Sequence, residues 1–188
     1  MKLKHFALSA ALALATVGCA STGTATGMLA PDAPRALAAQ GPVSVSWGDP
    51  AKFTEITGSG NRFEAERGDW LNKLAVYLRD QSEKALPAGN TLSLTIVDIK
   101  RAGQYEPWYG IERQNIRMIR DIYPPRMTLK FRELDAQGNV VAEGERRLTD
   151  PAFLLNSTPL NDTDPLRYEK RMIDSWVRRE FNSRTAAR

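Results

Sequence analysis

Histidine and cysteine are almost missing from this chain. Among 188 residues there is one of each, His5 and Cys19, and both lie at the N-terminal end. Everything after Cys19 therefore lacks the parts of a Ser-His-Asp triad or a Cys-His pair. The usual zinc sites built from His and Cys are excluded with them. A lone cysteine also has no partner for a disulfide within the chain. The chemistry left is that of carboxylates alone, a Ser–Lys pair, or an all-oxygen metal site. No metal and no cofactor are expected. A strong charge of one sign is lacking too. The 26 Lys and Arg face 22 Asp and Glu, a formal net charge of +4. That balance gives no reason to expect a nucleic-acid partner.

Long apolar runs are scarce, and the longest precedes Cys19. Lys2 and Lys4 open the chain, and Phe6 to Val17 form an apolar run of about 12 residues. At 1.5 Å per residue this run is too short for a bilayer core of roughly 30 Å. Val17 and Gly18 lead into Cys19. The pattern resembles a bacterial lipoprotein signal, which implies removal of 1–18 and lipid on Cys19. It departs from that pattern at Thr16, where such signals usually have Leu. The alternative is ordinary secretion, with cleavage after Ala20 or near Ala38. Loss of Lys2 and Lys4 lowers the net charge to +2. Ala20 is not the acidic residue that commonly keeps lipoproteins at the inner membrane. The expected place is the periplasmic face of the outer membrane, and the alternative is a soluble periplasmic or secreted protein.

Residues 20–42 are rich in Ala, Gly, Thr and Pro and show no apolar period. With the lipidated Cys19 they are expected to form a flexible tether, with an end-to-end distance of roughly 25–30 Å. A single folded domain is expected over 43–183, followed by a tail over 184–188. At that size a core buries roughly two-thirds of the unfolded chain's surface, so no disulfide is needed.

Val43 to Trp47 alternates and predicts a strand. Residues 51–62 predict a loop. A helix is expected from about Arg62 to Leu86, with Leu71, Leu74, Ala75 and Leu78 on one face. Thr91 to Ile99 predicts a central strand, because both its faces carry apolar residues. Residues 101–115 predict a loop, and Ile116 to Tyr123 an extended segment. Met127 to Phe131 and Val140 to Leu148 predict a hairpin around Asp135–Asn139. Asp164-Pro165 is a helix start, because Asp accepts free N–H groups and Pro needs none. The expected order is β-α-β-β-β-α. The expected class is α+β, a two-layer sandwich of a mainly antiparallel sheet of about four strands with two helices.

Several segments together resemble the bacterial domain-of-unknown-function family 3016. They are Val45–Pro50 with Phe53-Thr54-Glu55-Ile56, Leu86–Gly89 with Leu92, and Val97-Asp98-Ile99 with Ala102-Gly103. Further along come Ile116-Arg117 with Arg120–Pro125, Asp150 with Phe153-Leu154, and Leu166–Ile173 with Trp176. The series spans most of 43–181, in order. It departs at Lys100-Arg101, where the family tends to have an acidic residue and then Leu. The resemblance implies a secreted or lipid-anchored envelope protein and supplies no reaction.

Four groups of residues are candidates for a role. Asp98 is in phase with Leu92, Leu94 and Ile96, and a buried carboxylate needs a partner. Arg117 and Arg120 are the expected partners across the sheet, with loop N–H groups as the alternative. Tyr105, Trp108 and Tyr109 form either a binding surface or a lid on the core. The arginines of the last helix, Arg178 and Arg179 among them, form either a solvated face or a surface for anionic lipid. Glu169 and Asp174 suit the same helix through its dipole and through pairs one turn away. No catalytic residue is assigned. The expected function is a non-catalytic, periplasm-facing lipoprotein, a binding or assembly accessory of the envelope. It is held at the membrane by its lipid, with an envelope protein, a glycan or an anionic lipid as partner. The alternative is a small carboxylate-dependent hydrolase acting on envelope glycans.

Overall fold

The computed structural model describes Gly27 and residues 29–30, 32–155 and 162–185, with side chains up to Phe181. Cys19, the signal over 1–18 and the first part of the expected tether lie outside the described residues.

The fold is mixed α+β, with a four-stranded sheet and a two-stranded one. β1 (Val43–Trp47) buries Val43 and Val45 and leaves Ser44 exposed, as alternation requires. β2 (Thr91–Lys100) lies between β1 and β5 (Arg126–Leu134), and β6 (Val140–Thr149) forms the other edge. β1 runs parallel to β2, and the other pairs are antiparallel. The end of the segment read as a tether lies along β1. Trp47 N–H donates to the Arg35 carbonyl at 2.8 Å, and Leu37 N–H to the Val45 carbonyl at 2.9 Å. Those bonds occupy part of an edge that would otherwise be open.

The connection between β1 and β2 differs from expectation. The stretch expected as loop contains α1 (Thr54–Thr57). The single helix expected over 62–86 is two, α2 (Arg62–Glu66) and α3 (Trp70–Ala85). Gly68 breaks them with a φ of +81°, a backbone shape that glycine adopts without steric cost. Leu71, Leu74, Ala75 and Leu78 are buried on α3, the predicted stripe. Between β2 and β5, β3 (Gln104–Tyr105) pairs with β4 (Arg117–Met118) as the second sheet. The extended segment expected over 116–123 is therefore only two residues long.

α4 (Arg167–Thr185) runs into the expected tail. Asp164 holds its start, accepting the Leu166 N–H at 2.8 Å. α3 packs on α4 and β1, and α4 also touches β6, so both long helices cover one face. The opposite face carries polar pairs such as Ser46–Thr95 at 3.0 Å. The mixed α+β class therefore holds, but the order β-α-β-β-β-α does not. Two short helices and a two-stranded sheet are added to it.

All of the added elements lie at one end of the main sheet. β1 and β2 end there, and β5 starts beside the end of β2. β6 ends there too, with Thr149 opposite Arg126. The connections 48–69 and 101–125, with residues 150–155 and 162–166, meet at this end, and α3 and α4 both begin from it.

Candidate functional site

Glu55 is the centre of that end. It lies on α1, is wholly buried, and is flanked by the core residues Phe53 and Ile56. A lone carboxylate there would cost several kcal/mol. Cations converge on it from two other elements. Arg101, just past β2, reaches one oxygen through Nε at 3.0 Å and Nη2 at 2.9 Å. Its backbone N–H reaches the other oxygen at 2.9 Å. Lys100 Nζ lies 3.4 Å from that second oxygen. Arg117 of β4 also pairs with Glu55 through Nη2.

The charges set the pKa values. Burial alone raises the Glu55 carboxyl, but Arg101, Arg117 and Lys100 overcome it and hold it below the usual range. Burial lowers Lys100, and Glu55 only partly restores it. For Arg117 burial is the largest single effect and lowers its pKa, but the charge and hydrogen bond of Glu55, with Tyr105, together outweigh it, so the pKa is raised. Arg101 and Arg117 each lie over an aromatic ring, Trp70 at 4.7 Å and Tyr105 at 4.6 Å.

Glu169 is the second buried acid at this end. It lies in the first turn of α4 and is 1 % exposed. One oxygen accepts the Ala102 N–H at 2.6 Å, and the other has no hydrogen-bond partner among the described residues. Burial raises its pKa, against the Ala102 N–H and the nearby arginines. Beside it Phe153 and Tyr168 meet edge to face at 4.9 Å, with Ala102 in the same small cluster. Arg171 reaches Asp150 at 3.4 Å and also bonds the Phe153 carbonyl.

Arg101 is also exposed to a cleft of about 460 Å³ between the starts of α3 and α4. Trp70, Lys73, Tyr77, Asp164 and Lys170 line it as well. Lys170 pairs with Asp164 at 2.5 Å and lies 5.1 Å from the centre of the Tyr77 ring. Tyr77 donates to Asp174 at 2.9 Å, and burial and that contact both raise its pKa.

The residues singled out in the sequence have other partners than expected. Asp98 does not follow Leu92, Leu94 and Ile96, because the register shifts between Ile96 and Asp98. Val97 faces outward as alternation requires, and past the bulge Ile99, not Asp98, takes the buried place. The Asp98 carboxylate instead receives the Thr54 N–H and the Thr54 hydroxyl, each at 2.6 Å, at the start of α1. Neither expected arginine is its partner. Arg117 is bound to Glu55, and Arg120 to buried Glu106 at 2.8 Å. Its partners are instead one backbone N–H and one hydroxyl at a helix start, neither an arginine nor a loop N–H.

The aromatic loop divides. Tyr105 is buried beneath Arg117, whereas Trp108 and Tyr109 are 64 % and 51 % exposed. On α4, Arg178 and Arg179 are both exposed, and Arg178 reaches Ser175 at 3.3 Å. Arg171 is instead drawn in to Asp150, so the arginines of α4 do not form one solvated face.

Sequence reasoning missed the Glu55 cluster. One signal was available, an acid placed between Phe53 and Ile56, both apolar and both suited to a core. The segments that carry the family resemblance supply most of this end: Glu55, Ala102-Gly103, Arg117, Asp150 with Phe153, and Tyr168 to Arg171. The family described as Protein of unknown function (DUF3016) matches residues 41–179. No curated protein and no solved structure matches the chain.

Proposed function

This chain belongs to the DUF3016 family, and from that premise we propose that it is a non-catalytic, lipid-anchored protein of the bacterial envelope that works by binding. The observation that carries the non-catalytic reading is the state of its buried charges. Glu55 is fully occupied by Arg101, Arg117 and Lys100 and has no exposure to solvent. A general base needs reach to a substrate proton, and Glu55 has none. In the cleft, Asp164 is taken by Lys170 and the Leu166 N–H, and Asp80 pairs with Arg79 at 3.1 Å. The cluster ties α1, β2 and β4 together. Its product is a fixed surface made of the 101–125 connection.

The anchored reading rests on the run that ends at Cys19, and the outer-membrane face on Ala20 after it. An envelope protein, a glycan or a lipid are the partner classes. A glycan hydrolase has one observation in its favour. Glu169 has a raised pKa and one oxygen with no hydrogen-bond partner among the described residues, the state of a general acid. Its burial and its absence from the cleft lining weigh against that role.

Fractionation of bacterial cells tests the anchor. The wild-type chain is expected in the membrane fraction after a high-salt wash, and Cys19→Ser in the soluble periplasmic extract. Acyl chains contribute about 0.8 kcal/mol per buried CH₂, so their loss should release the protein. A wild-type Cys19 that carries no lipid by mass spectrometry overturns the anchor.

A further inference from the structure

Large apolar side chains are exposed mainly at one end of this protein. Among the described residues, each such side chain except Val97 and Val140 lies on a connection leaving the Glu55 end of the sheet. Most belong to 107–122. Trp108, Ile111 and Ile122 are 64 %, 82 % and 67 % exposed, and Phe63 on α2 is 75 % exposed. The loop that carries them is not loose. Asn61 Nδ2 binds the Gln114 carbonyl at 3.0 Å and Asn115 Oδ1 at 2.9 Å. Arg117 ties β4 to Glu55, and Arg120 ties the next turn to Glu106. Ordered apolar side chains in water suggest a surface that is covered in use.

The start of the described chain suggests what covers it. Gly27 lies in a cleft bordered by Glu66, Gly68 and Asp69. α2 joins that cleft to the loop, since Glu66 is its last residue and Asn61 its cap. Gly27 and the apolar loop are thus at the same end. Cys19 precedes Gly27 by eight residues, which span at most about 28 Å when fully extended. A lipid on Cys19 keeps this end within that distance of the bilayer.

We propose that the 107–122 loop inserts Trp108 and its apolar neighbours into the interface of the bilayer to which the chain is anchored. This rests on the anchored reading above. Trp and Tyr are favoured at that depth, where one end of the ring is apolar and the other meets headgroups. Residues 107–123 hold three arginines and two acids. The segment is close to neutral, so insertion is driven by apolar contact and is insensitive to salt. The protein then meets the membrane at two points, the lipid and the loop, and its other end is directed away from the bilayer.

The test uses the lipidated protein in phosphatidylcholine vesicles with brominated acyl chains, which quench tryptophan that enters the bilayer. Trp70 and Trp176 are buried and Trp47 is partly buried, so Trp108 is the exposed reporter. The wild type should be quenched, and Trp108→Phe should lose most of that quenching. Mass spectrometry of Cys19 is run on the same sample. Lipid on Cys19 without Trp108-dependent quenching overturns the insertion and leaves the anchor standing. If Cys19 carries no lipid, the anchor falls, and the same unlipidated chain is mixed with the vesicles. Quenching then still supports insertion, and its absence overturns it. For the unlipidated chain, Ile111→Ser should weaken vesicle binding at least threefold at both low and high salt. Binding lost at high salt contradicts an apolar contact.

Discussion

Arg101 binds Glu55 with both its side chain and its main chain. Its guanidinium holds one carboxylate oxygen at 2.9 Å and 3.0 Å, and its own N–H holds the other at 2.9 Å. The end of β2 and the helix α1 are thereby fixed to each other. Arg117 adds β4 to the same carboxylate.

Glu55→Gln should be the most damaging change at this end. It leaves Lys100, Arg101 and Arg117 around a neutral amide. Removing one partner of a buried pair costs about 3–5 kcal/mol. The expected outcome is a large fall in the urea midpoint at pH 7. A fall of less than about 1 kcal/mol would show that the cations find water instead.

Glu55 and Glu169 should respond to pH in opposite ways. The Glu55 pKa is lowered on folding, so its stabilisation is present above the ordinary carboxylate range and lost as pH falls below that range towards the lowered value. The Glu169 pKa is raised, so its contribution is complete below that range and lost as pH rises. Glu169→Gln keeps an acceptor for the Ala102 N–H and removes the cost of ionisation. It should raise stability relative to the wild type at pH 7, and that gain should shrink towards pH 4. A gain that is the same at both values contradicts the buried, proton-binding carboxyl.

Asp98→Ala should destabilise by about 1–3 kcal/mol, because two donors of Thr54 lose their acceptor. Asp98→Asn should cost less, since its amide oxygen still accepts one of them. A double-mutant cycle with Thr54→Val isolates the hydroxyl's share. Additive effects of the two changes would show that Asp98 and Thr54 do not act as a pair.

Trp176→Ala should cost about 3–5 kcal/mol. Trp176 is 3 % exposed and meets Phe131 and Phe181 edge to face, at 6.4 Å and 6.2 Å. Arg178→Ala should change stability by less than about 0.5 kcal/mol, because the side chain is exposed and its hydrogen bond to Ser175 is exposed too. Equal losses for the two, in thermal unfolding, would contradict the packing described.

Much of the fold was legible because apolar period marks long elements. The stripe of α3 and the strands β1, β5 and β6 follow from it, and the start of α4 follows from the capping chemistry of Asp164-Pro165. The Glu55 end was not legible for two reasons. The bulge between Ile96 and Asp98 inverts the phase of β2, so alternation assigns Asp98 and Ile99 each to the wrong face. The second reason is sequence distance. Glu55 lies 46 residues from Arg101 and 62 from Arg117, and charges that far apart in sequence carry no pairing signal. Gly103 is a further feature of this kind. With φ +80°, a Cβ there would lie 2.7 Å from the Met118 carbonyl oxygen, so the β3–β4 contact needs glycine.

The central claim is that Glu55 and its cations lock the 101–125 connection onto the sheet. Native-state hydrogen exchange of Arg117→Met tests it most directly, because Glu55 then keeps Arg101 and Lys100 and the main sheet should stay intact. The account predicts faster exchange at amides between Gly103 and Tyr123, with those of β2, β5 and α3 unchanged. Uniformly faster exchange across the domain, or no change in 103–123, would contradict it.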